Sequence, residues 1–273
     1  MKFTIFTPTY NRAHLLPRLF GSLMQLDFHD FEWLIADDGS ADETKSVVSE
    51  FASTAHFPIR YFWQQNQGKH AAINLGVKEA CGEFFYIVDS DDWLPADALT
   101  IILKFCRNLQ PGLAGVCGKK SVGNKTVNLP FDQKVCTPVQ IRYQYGIAVD
   151  LAEVYRTDIL KNFPFPVFKG EKFVTESMVW FRIAQHHKML YFDEVICHCE
   201  YQPEGLSSNY RKLMENNPKG TLLYFSELLK YDIPREAKKT AARNFNSIAQ
   251  LNGYSRFWIF RKLGLRNYLR IFF

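Results

Sequence analysis

No apolar run in the 273 residues approaches the ~20 that a membrane-crossing helix needs, so the chain is not expected to span a bilayer as a helix. Cysteine is scarce and scattered: Cys81, Cys106, Cys117, Cys136, Cys197 and Cys199 contain no CxxC pair. With no signal peptide ahead of them, these thiols fit a reducing cytosol. Cys197-His198-Cys199 lacks a second ligand pair at zinc spacing and reads as core cysteines. No GxGxxG follows the first apolar strand, which excludes a dinucleotide oxidoreductase. Gly68-Lys69 lacks the upstream glycine and the following Ser or Thr of a phosphate loop. Internal repeats and low-complexity tracts are missing as well. Charged residues make up only 22% against 47% apolar, a globular composition rather than a disordered one.

What is present centres on Phe84-Phe85-Tyr86-Ile87-Val88-Asp89-Ser90-Asp91-Asp92-Trp93. Five apolar residues read as a strand buried on both faces, and three carboxylates stand where it ends. Carboxylates crowded this way repel one another, and a hard divalent cation with room for phosphate oxygens relieves the repulsion. The plainer alternative is a solvated turn before a helix starting near Pro95.

Strand and helix alternate before that point. Phe3 to Thr7 is a strand, and Asn11 is expected to cap a helix carrying Leu15, Leu16, Leu19, Phe20, Leu23 and Met24. Phe31 to Ala36 is a second strand, with Ser40 and Glu43 in a capping-box pattern for the next helix. Ile59 to Trp63 is a third, followed by Asn66 to His70 and a helix. There a lysine and free backbone N–H groups at a helix start suit an anionic phosphate. The acidic strand, a helix from Pro95 to about Leu109 and a strand from Leu113 to Gly118 complete the series. An α/β domain with a mostly parallel sheet and helices on both faces follows, its strand-end loops gathered at one rim.

Beyond 118, short strands or hairpins are expected over 119–129, 136–145 and 149–155. A helix then starts near Thr175 as cap, with Glu176 in its first turn. Strands Met189 to Phe192 and Val195 to Cys199 precede a loop over 202–209 and helices over 208–230 and 235–251. From Gly253 on, Arg256, Arg261, Lys262, Arg266 and Arg270 face no acid and equal the formal net charge of +5. Aromatic residues lie between them, a mixture suited to an anionic membrane surface. The alternatives are packing on the core or on a second copy, which would make a homodimer. Nucleic acid fits less well, because the crevice itself is acidic.

Thr7-Pro8-Thr9-Tyr10-Asn11-Arg12, Asp37-Asp38-Gly39-Ser40, Asn66-Gln67-Gly68 and Asp89-Ser90-Asp91-Asp92, in that order, resemble the nucleotide-sugar half of family 2 glycosyltransferases of the GT-A fold. The likeness is close up to the fifth strand and loose beyond it. It implies a single GT-A-type domain with a Rossmann-like sheet, and an inverting enzyme using a nucleotide diphosphate sugar, UDP- before GDP-sugar, with Mn2+ or Mg2+. Residues 1–118 would then be the donor half, 119–206 the acceptor and catalytic half, and 207–273 a helical extension.

By position, the resemblance implies that Pro8, Tyr10 and Arg12 line the base pocket, Asp38 bonds the base and Asp89 faces the ribose. Asn66, Gly68, Lys69 and Ser90 complete the nucleotide contacts, and Asp91 of the DxD motif holds the metal. The family often carries a Glu-Asp pair before a helix, one acid serving as base. Here Glu176-Ser177 stands in that place, so Glu176 is the candidate base, with Glu171 and Asp150 behind it. His198 lies near a conceivable third metal-ligand position and reads as a hydrogen-bonded core histidine. The acceptor is expected to be a saccharide or lipid-linked, and the location cytoplasmic and peripheral on the membrane. Ser177 keeps open a nucleotide-binding partner subunit with the base lost. A metal-dependent phosphohydrolase is disfavoured, because three strands precede Asp89 and Trp93 follows Asp92.

Overall fold

Aromatic and β-branched side chains drive the first four strands together; the strands beginning at Phe3, Phe31 and Phe84 bury both faces, while Ile59–Trp63 at the sheet edge is only partly buried. The computed structural model describes residues 1–123, 125–200 and 209–272. In it β1 (Phe3–Thr9), β2 (Phe31–Asp37), β3 (Ile59–Trp63) and β4 (Phe84–Ile87) run parallel in the order β3-β2-β1-β4. The crossovers are α1 (Leu16–Leu23), α2 (Thr44–Thr54) and α3 (Lys69–Glu79), and α4 (Ala98–Cys106) follows β4. Side-chain alternation divides the core in two. Phe3, Ile5, Trp33 and Tyr86 pack with Leu16, Leu19 and Leu99 on one face, while Phe6, Leu34 and Phe85 pack with Ala72, Ile73 and Val179 on the other.

The second half of the chain extends the same sheet. It supplies β5 (Leu113–Val122), β6 (Lys125–Thr126), β7 (Gln133–Cys136), α5 (Pro138–Tyr143), β8 (Ala152–Arg156), α6 (Thr157–Leu160), α7 (Glu176–Ile183) and β9 (Lys188–Cys199). β8 inserts antiparallel between β4 and β5, so β5 does not neighbour β4 as chain order alone would place it. β9 lies parallel to β5, and β7 closes that edge. Helices α8 (Tyr210–Asn216), α9 (Pro218–Leu228), α10 (Arg235–Leu251) and α11 (Arg256–Leu269) complete the described chain.

Several local expectations are corrected. Asn11 does not cap α1, which begins at Leu16; it sits at φ 52°, and its Oδ1 accepts from the Ala41 N–H at 2.8 Å. The Ser40–Glu43 box does not form, because Ser40 Oγ accepts from the Asn11 N–H and Asp42 instead receives the N–H groups of Ala13 and Thr44. The two loops are thereby buttoned together. The segment expected as strand over 136–145 is largely helix α5, whose Thr137 and Gln140 form a true capping box around Pro138 at the first helical position. The strands expected at Met189 and Val195 are one strand, β9, with register shifts against β5. The helix expected over 208–230 breaks at Asn217-Pro218. Most of the expected 202–209 loop, with the division at 206, lies outside the described residues.

Candidate active site

Parallel strands end their apolar runs on one rim, and the polar loops collect there. At the tip of β4 each of the three carboxylates meets its own cation. Lys69 Nζ stands 2.6 and 2.8 Å from the two oxygens of Asp89, Arg12 Nη1 is 3.3 Å from Asp91 Oδ2, and Lys120 Nζ is 2.9 Å from Asp92 Oδ2. Arg12 Nη1 also donates to Ser90 Oγ at 3.3 Å. Burial would raise the Asp89 carboxyl, yet Lys69, Lys120 and Arg12 together hold it below the usual aspartate range. Asp91 goes the other way: burial and the neighbouring Asp89 charge push it up against the pull of Arg12. Asp92 is closed off, as Lys120 and the Cys197 thiol at 3.6 Å both reach its Oδ2.

Asp38 organises the next part of the rim. Its buried carboxylate accepts from Gln64 Nε2 at 2.7 Å, the Gln67 N–H at 2.9 Å and the Gly68 N–H at 2.7 Å. Three donors on a group with about four acceptor positions leave it little spare capacity, so its visible work is clamping the Asn66–Gly68 loop. Gly68 has φ 95°, and a Cβ there would lie 1.9 Å from the Lys172 carbonyl oxygen. The turn therefore needs glycine for both conformation and space. Around the clamp, Thr9 Oγ1, Asn66 Oδ1 and both ring nitrogens of His70 are buried without a hydrogen-bond partner among the described residues. Burial pushes the His70 imidazole down to about 4, against the nearby Asp38 charge, so the ring is neutral. Unsatisfied acceptors and donors in one place fit a polar ligand such as a nucleobase. Pro8 is buried within β1 opposite Ala36, and Tyr10 stands half exposed just beyond that strand.

Glu176 arrives from a distant part of the sequence. In the first turn of α7, its Oε1 lies 2.8 Å from Lys69 Nζ, so one ammonium bridges Asp89 and Glu176. Burial alone would lower Lys69, but the two carboxylates outweigh it and keep the ammonium charged. Thr175 occupies the N-cap position of α7 without capping it through its side chain; its Oγ1 accepts from the Tyr210 hydroxyl. Ser177 follows Glu176 on that turn. Glu171 is removed from the base candidates, because both its oxygens accept backbone N–H groups of Lys219 and Gly220 at the start of α9. Asp150 is exposed.

Lys120 and Glu153 were missed from the sequence, and His70 was expected on the rim without a role of its own. Glu153 breaks an apolar strand between Ala152 and Val154, a signal that was there to find. Burial pushes its carboxyl up to about 8; Lys120 opposes this, and Asp150 and Glu176 add to it. His198 behaves as a hydrogen-bonded histidine: Nδ1 is 2.6 Å from Ser121 Oγ, and the ring tilts against Trp93. The side-chain ligand atoms of Asp92, Cys197 and Cys199 lie within 4.8 Å of one another, but the Lys120 ammonium already serves that group. For a hard divalent ion the fitting residue is Asp91, an oxygen donor whose carboxyl is raised by burial and by Asp89 and whose ion-pair partner among the described residues is Arg12 at 3.3 Å.

Known proteins resemble the chain in sequence and in fold. The sequence is 35% identical over 125 residues to the Campylobacter jejuni GalNAc(5)-diNAcBac-PP-undecaprenol beta-1,3-glucosyltransferase, covering 45% of this chain and 40% of that one. It is 26% identical over 164 residues to the Staphylococcus aureus poly(ribitol-phosphate) beta-N-acetylglucosaminyltransferase TarS, covering 59% and 29%. The chain thus spans well under half the length of these curated relatives. The crystal structure of TarS 1-349 with UDP-GlcNAc superposes with a TM-score of 0.65 at 20% identity, over 99% of this chain and 78% of that one. A Pyrobaculum calidifontis mannosyltransferase with GDP-Man and Mn2+ gives 0.62 at 18% identity, over 92% and 73%. These likenesses identify the fold as GT-A. The sequence model of Glycosyl transferase family 2 matches residues 4–156, more than half of the chain, and the protein belongs to that family.

Proposed function

We propose that the chain transfers a sugar from a nucleoside diphosphate sugar to a saccharide or lipid-linked acceptor, with inversion at the anomeric carbon. The observation that carries this is the continuous network from Asp38 through Gly68 and Lys69 to Asp89 and Glu176. Residues 1–118 supply the donor half, 119–206 the acceptor and catalytic half, and 207–273 the helical extension. Thr9, Asn66 and His70 with Tyr10 receive the base, and Asp89 takes the ribose hydroxyls. UDP is favoured over GDP because the TarS crystal structures are complexes with UDP-GlcNAc and UDP. A saccharide on a lipid diphosphate is suggested by the Campylobacter relative's name.

Asp91, with Arg12 beside it, would hold Mn2+ or Mg2+. Such an ion, when bound, offsets charge on the departing diphosphate as a Lewis acid. Glu176 does the proton work. Oε1 is held by Lys69, and Oε2 has no partner among the described residues, so Oε2 takes the proton from the acceptor hydroxyl as it attacks. The new carbon–oxygen bond forms on the face opposite the leaving group, and the breaking bond's electron pair goes to the diphosphate. The phosphohydrolase alternative is less well supported, since the Lys69 ammonium on both oxygens of Asp89 lowers their nucleophilicity. Our reading puts the chain at the cytoplasmic face of a membrane, which a lipid-diphosphate acceptor like the one in the Campylobacter relative's name would suit; no helix among the described residues is long and apolar enough to cross one.

Thermal shift with UDP-GlcNAc, UDP and GDP-mannose, with and without Mn2+, tests the reading. A ligand at a hundred times its dissociation constant stabilises by ~2.7 kcal/mol. Mn2+-dependent stabilisation should vanish in Asp91→Asn, while Glu176→Gln keeps it and loses transfer. Stabilisation indifferent to Mn2+ and to Asp91→Asn removes the metal role. Binding with unchanged turnover in Glu176→Gln removes the base, and binding without any turnover in the wild type supports the partner-subunit alternative that Ser177 raises.

A further inference from the structure

The C-terminal helices have two faces of opposite character. α11 is seated on the body through buried Ile259 and Leu263, and Trp258 lies over Tyr254 and Phe245 at 4.1 and 6.1 Å. Gly264 at φ 70° breaks the helix and turns its last part. Facing away from the body, Phe257, Phe260, Leu265, Leu269 and Phe272 are 38 to 69% exposed. Phe260, Tyr268 and Phe272 touch edge to face across the break, at 5.4 and 5.7 Å. Apolar side chains of this size, gathered on one short element, need a cover.

Charge says what the cover is. From Pro234 to the end of the chain there are nine Lys and Arg residues and one acid, Glu236, whereas the whole chain has a formal net charge of only +5. The rest of the molecule is therefore net acidic. None of the nine cations forms a salt bridge among the described residues. Arg243 of α10 donates to the Ile271 carbonyl, so the end of α11 lies against α10. Burial, Arg266 and Arg235 all depress the Arg270 guanidinium, which places three like charges close together, none of them in a salt bridge among the described residues.

We propose that α10 and α11 form a docking face for an anionic lipid surface, with Phe257, Leu265, Leu269 and Phe272 entering the interface and the surrounding Arg and Lys side chains meeting lipid phosphates. Unpaired cations interleaved with outward aromatic and leucine side chains match both layers of such a surface. A second copy is a poorer cover, because a two-fold contact would set this cationic face against itself. The face is independent of the sugar-transfer site, so its test stands apart from that of the activity.

The test is co-sedimentation of the full chain with phosphatidylcholine vesicles, with and without phosphatidylglycerol. Pelleting with the anionic vesicles alone is expected, weakening as salt is raised. Arg261→Gln/Arg266→Gln should reduce affinity about thirtyfold, from roughly fivefold per charge. Phe257→Ser/Leu265→Ser/Phe272→Ser should abolish pelleting at any salt. These side chains are exposed, and an unchanged melting temperature will confirm that both variants fold. Equal binding to neutral vesicles, binding to neither, or unaltered binding by both variants overturns the proposal. So does a wild-type dimer in light scattering that the triple serine variant dissociates.

Discussion

Replacing Lys69 by methionine keeps the unbranched apolar stem, one atom shorter, and removes one charge, which leaves Asp89 and Glu176 facing each other without the ammonium that now lies 2.6 and 2.8 Å from them. Exposed ion pairs are worth ~0–1 kcal/mol, while removing one partner of a sealed pair costs ~3–5 kcal/mol. The three side chains are 22, 29 and 34% exposed, so the loss should lie between these limits, at ~2 kcal/mol. At ~2–4 °C per kcal/mol for a chain of this size, the melting temperature should fall by roughly 4–8 °C at neutral pH.

The pH dependence fixes the sign. Asp89 is depressed in the folded protein, so its contribution to stability is present above its unfolded pKa and is lost as pH falls through the folded one. Without Lys69 that contribution is missing at neutral pH, and repulsion raises one of the two carboxyls. The gap between wild type and variant should therefore be widest at neutral pH and should close on acidification, as one carboxylate takes a proton. Differential scanning calorimetry across that range reads it directly, with Lys69→Arg expected to stay near wild type. A fall under 2 °C at neutral pH, or a gap that does not narrow in acid, would show that the ammonium does not hold these two acids together.

Two further outcomes follow from the same rim. Glu153, raised to about 8 from an ordinary 4.5, binds a proton more readily folded than unfolded, so its penalty on stability grows as pH rises between those values. Glu153→Gln should leave the melting temperature unchanged in acid and raise it at pH above about 8, and a uniform effect across pH would refute the assignment. Gly68→Ala forces a Cβ to 1.9 Å from the Lys172 carbonyl at a φ of 95°, so it should destabilise by several kcal/mol, on the order of other strained and overpacked sites. Urea denaturation with wild-type-like stability would show that the turn has room to relax.

The parallel half of the sheet was legible because its information is local. Phe84 to Val88 is too apolar to be anything but a strand covered on both sides, and the alternation with helical periods sets the order of the others. The insertion of β8 between β4 and β5 was not legible, since nothing near Ala152–Arg156 states which strands it pairs with across a long separation. α5 is a different kind of miss. Thr137-Pro138-Val139-Gln140 carries a complete helix start, but the segment sits among short pieces punctuated by Gly, Asn and Pro, which read as hairpins or irregular strands. At the loops, Ser40 and Glu43 match a capping pattern, but Asn11 of the preceding loop offers Ser40 a long-range N–H.

The acidic tip of β4 shows how a local charge count can be right about place and wrong about need. Three carboxylates in four residues look like an uncompensated cluster when only that stretch is read. The compensating cations are Lys69, 20 residues away, Lys120, 28 residues away, and Arg12, which reaches the same tip from the loop after β1. With each acid paired, mutual repulsion no longer demands an ion at all three. It survives at one position: burial and Asp89 still raise Asp91 despite Arg12, while Asp89 is held low. A metal drawn to this tip therefore gains most at Asp91, because Asp89 and Asp92 already have Lys69 and Lys120 against them. Because Lys69 also grips Glu176, the charge balance that leaves Asp91 available is the same contact that brings α7 to the donor side of the sheet.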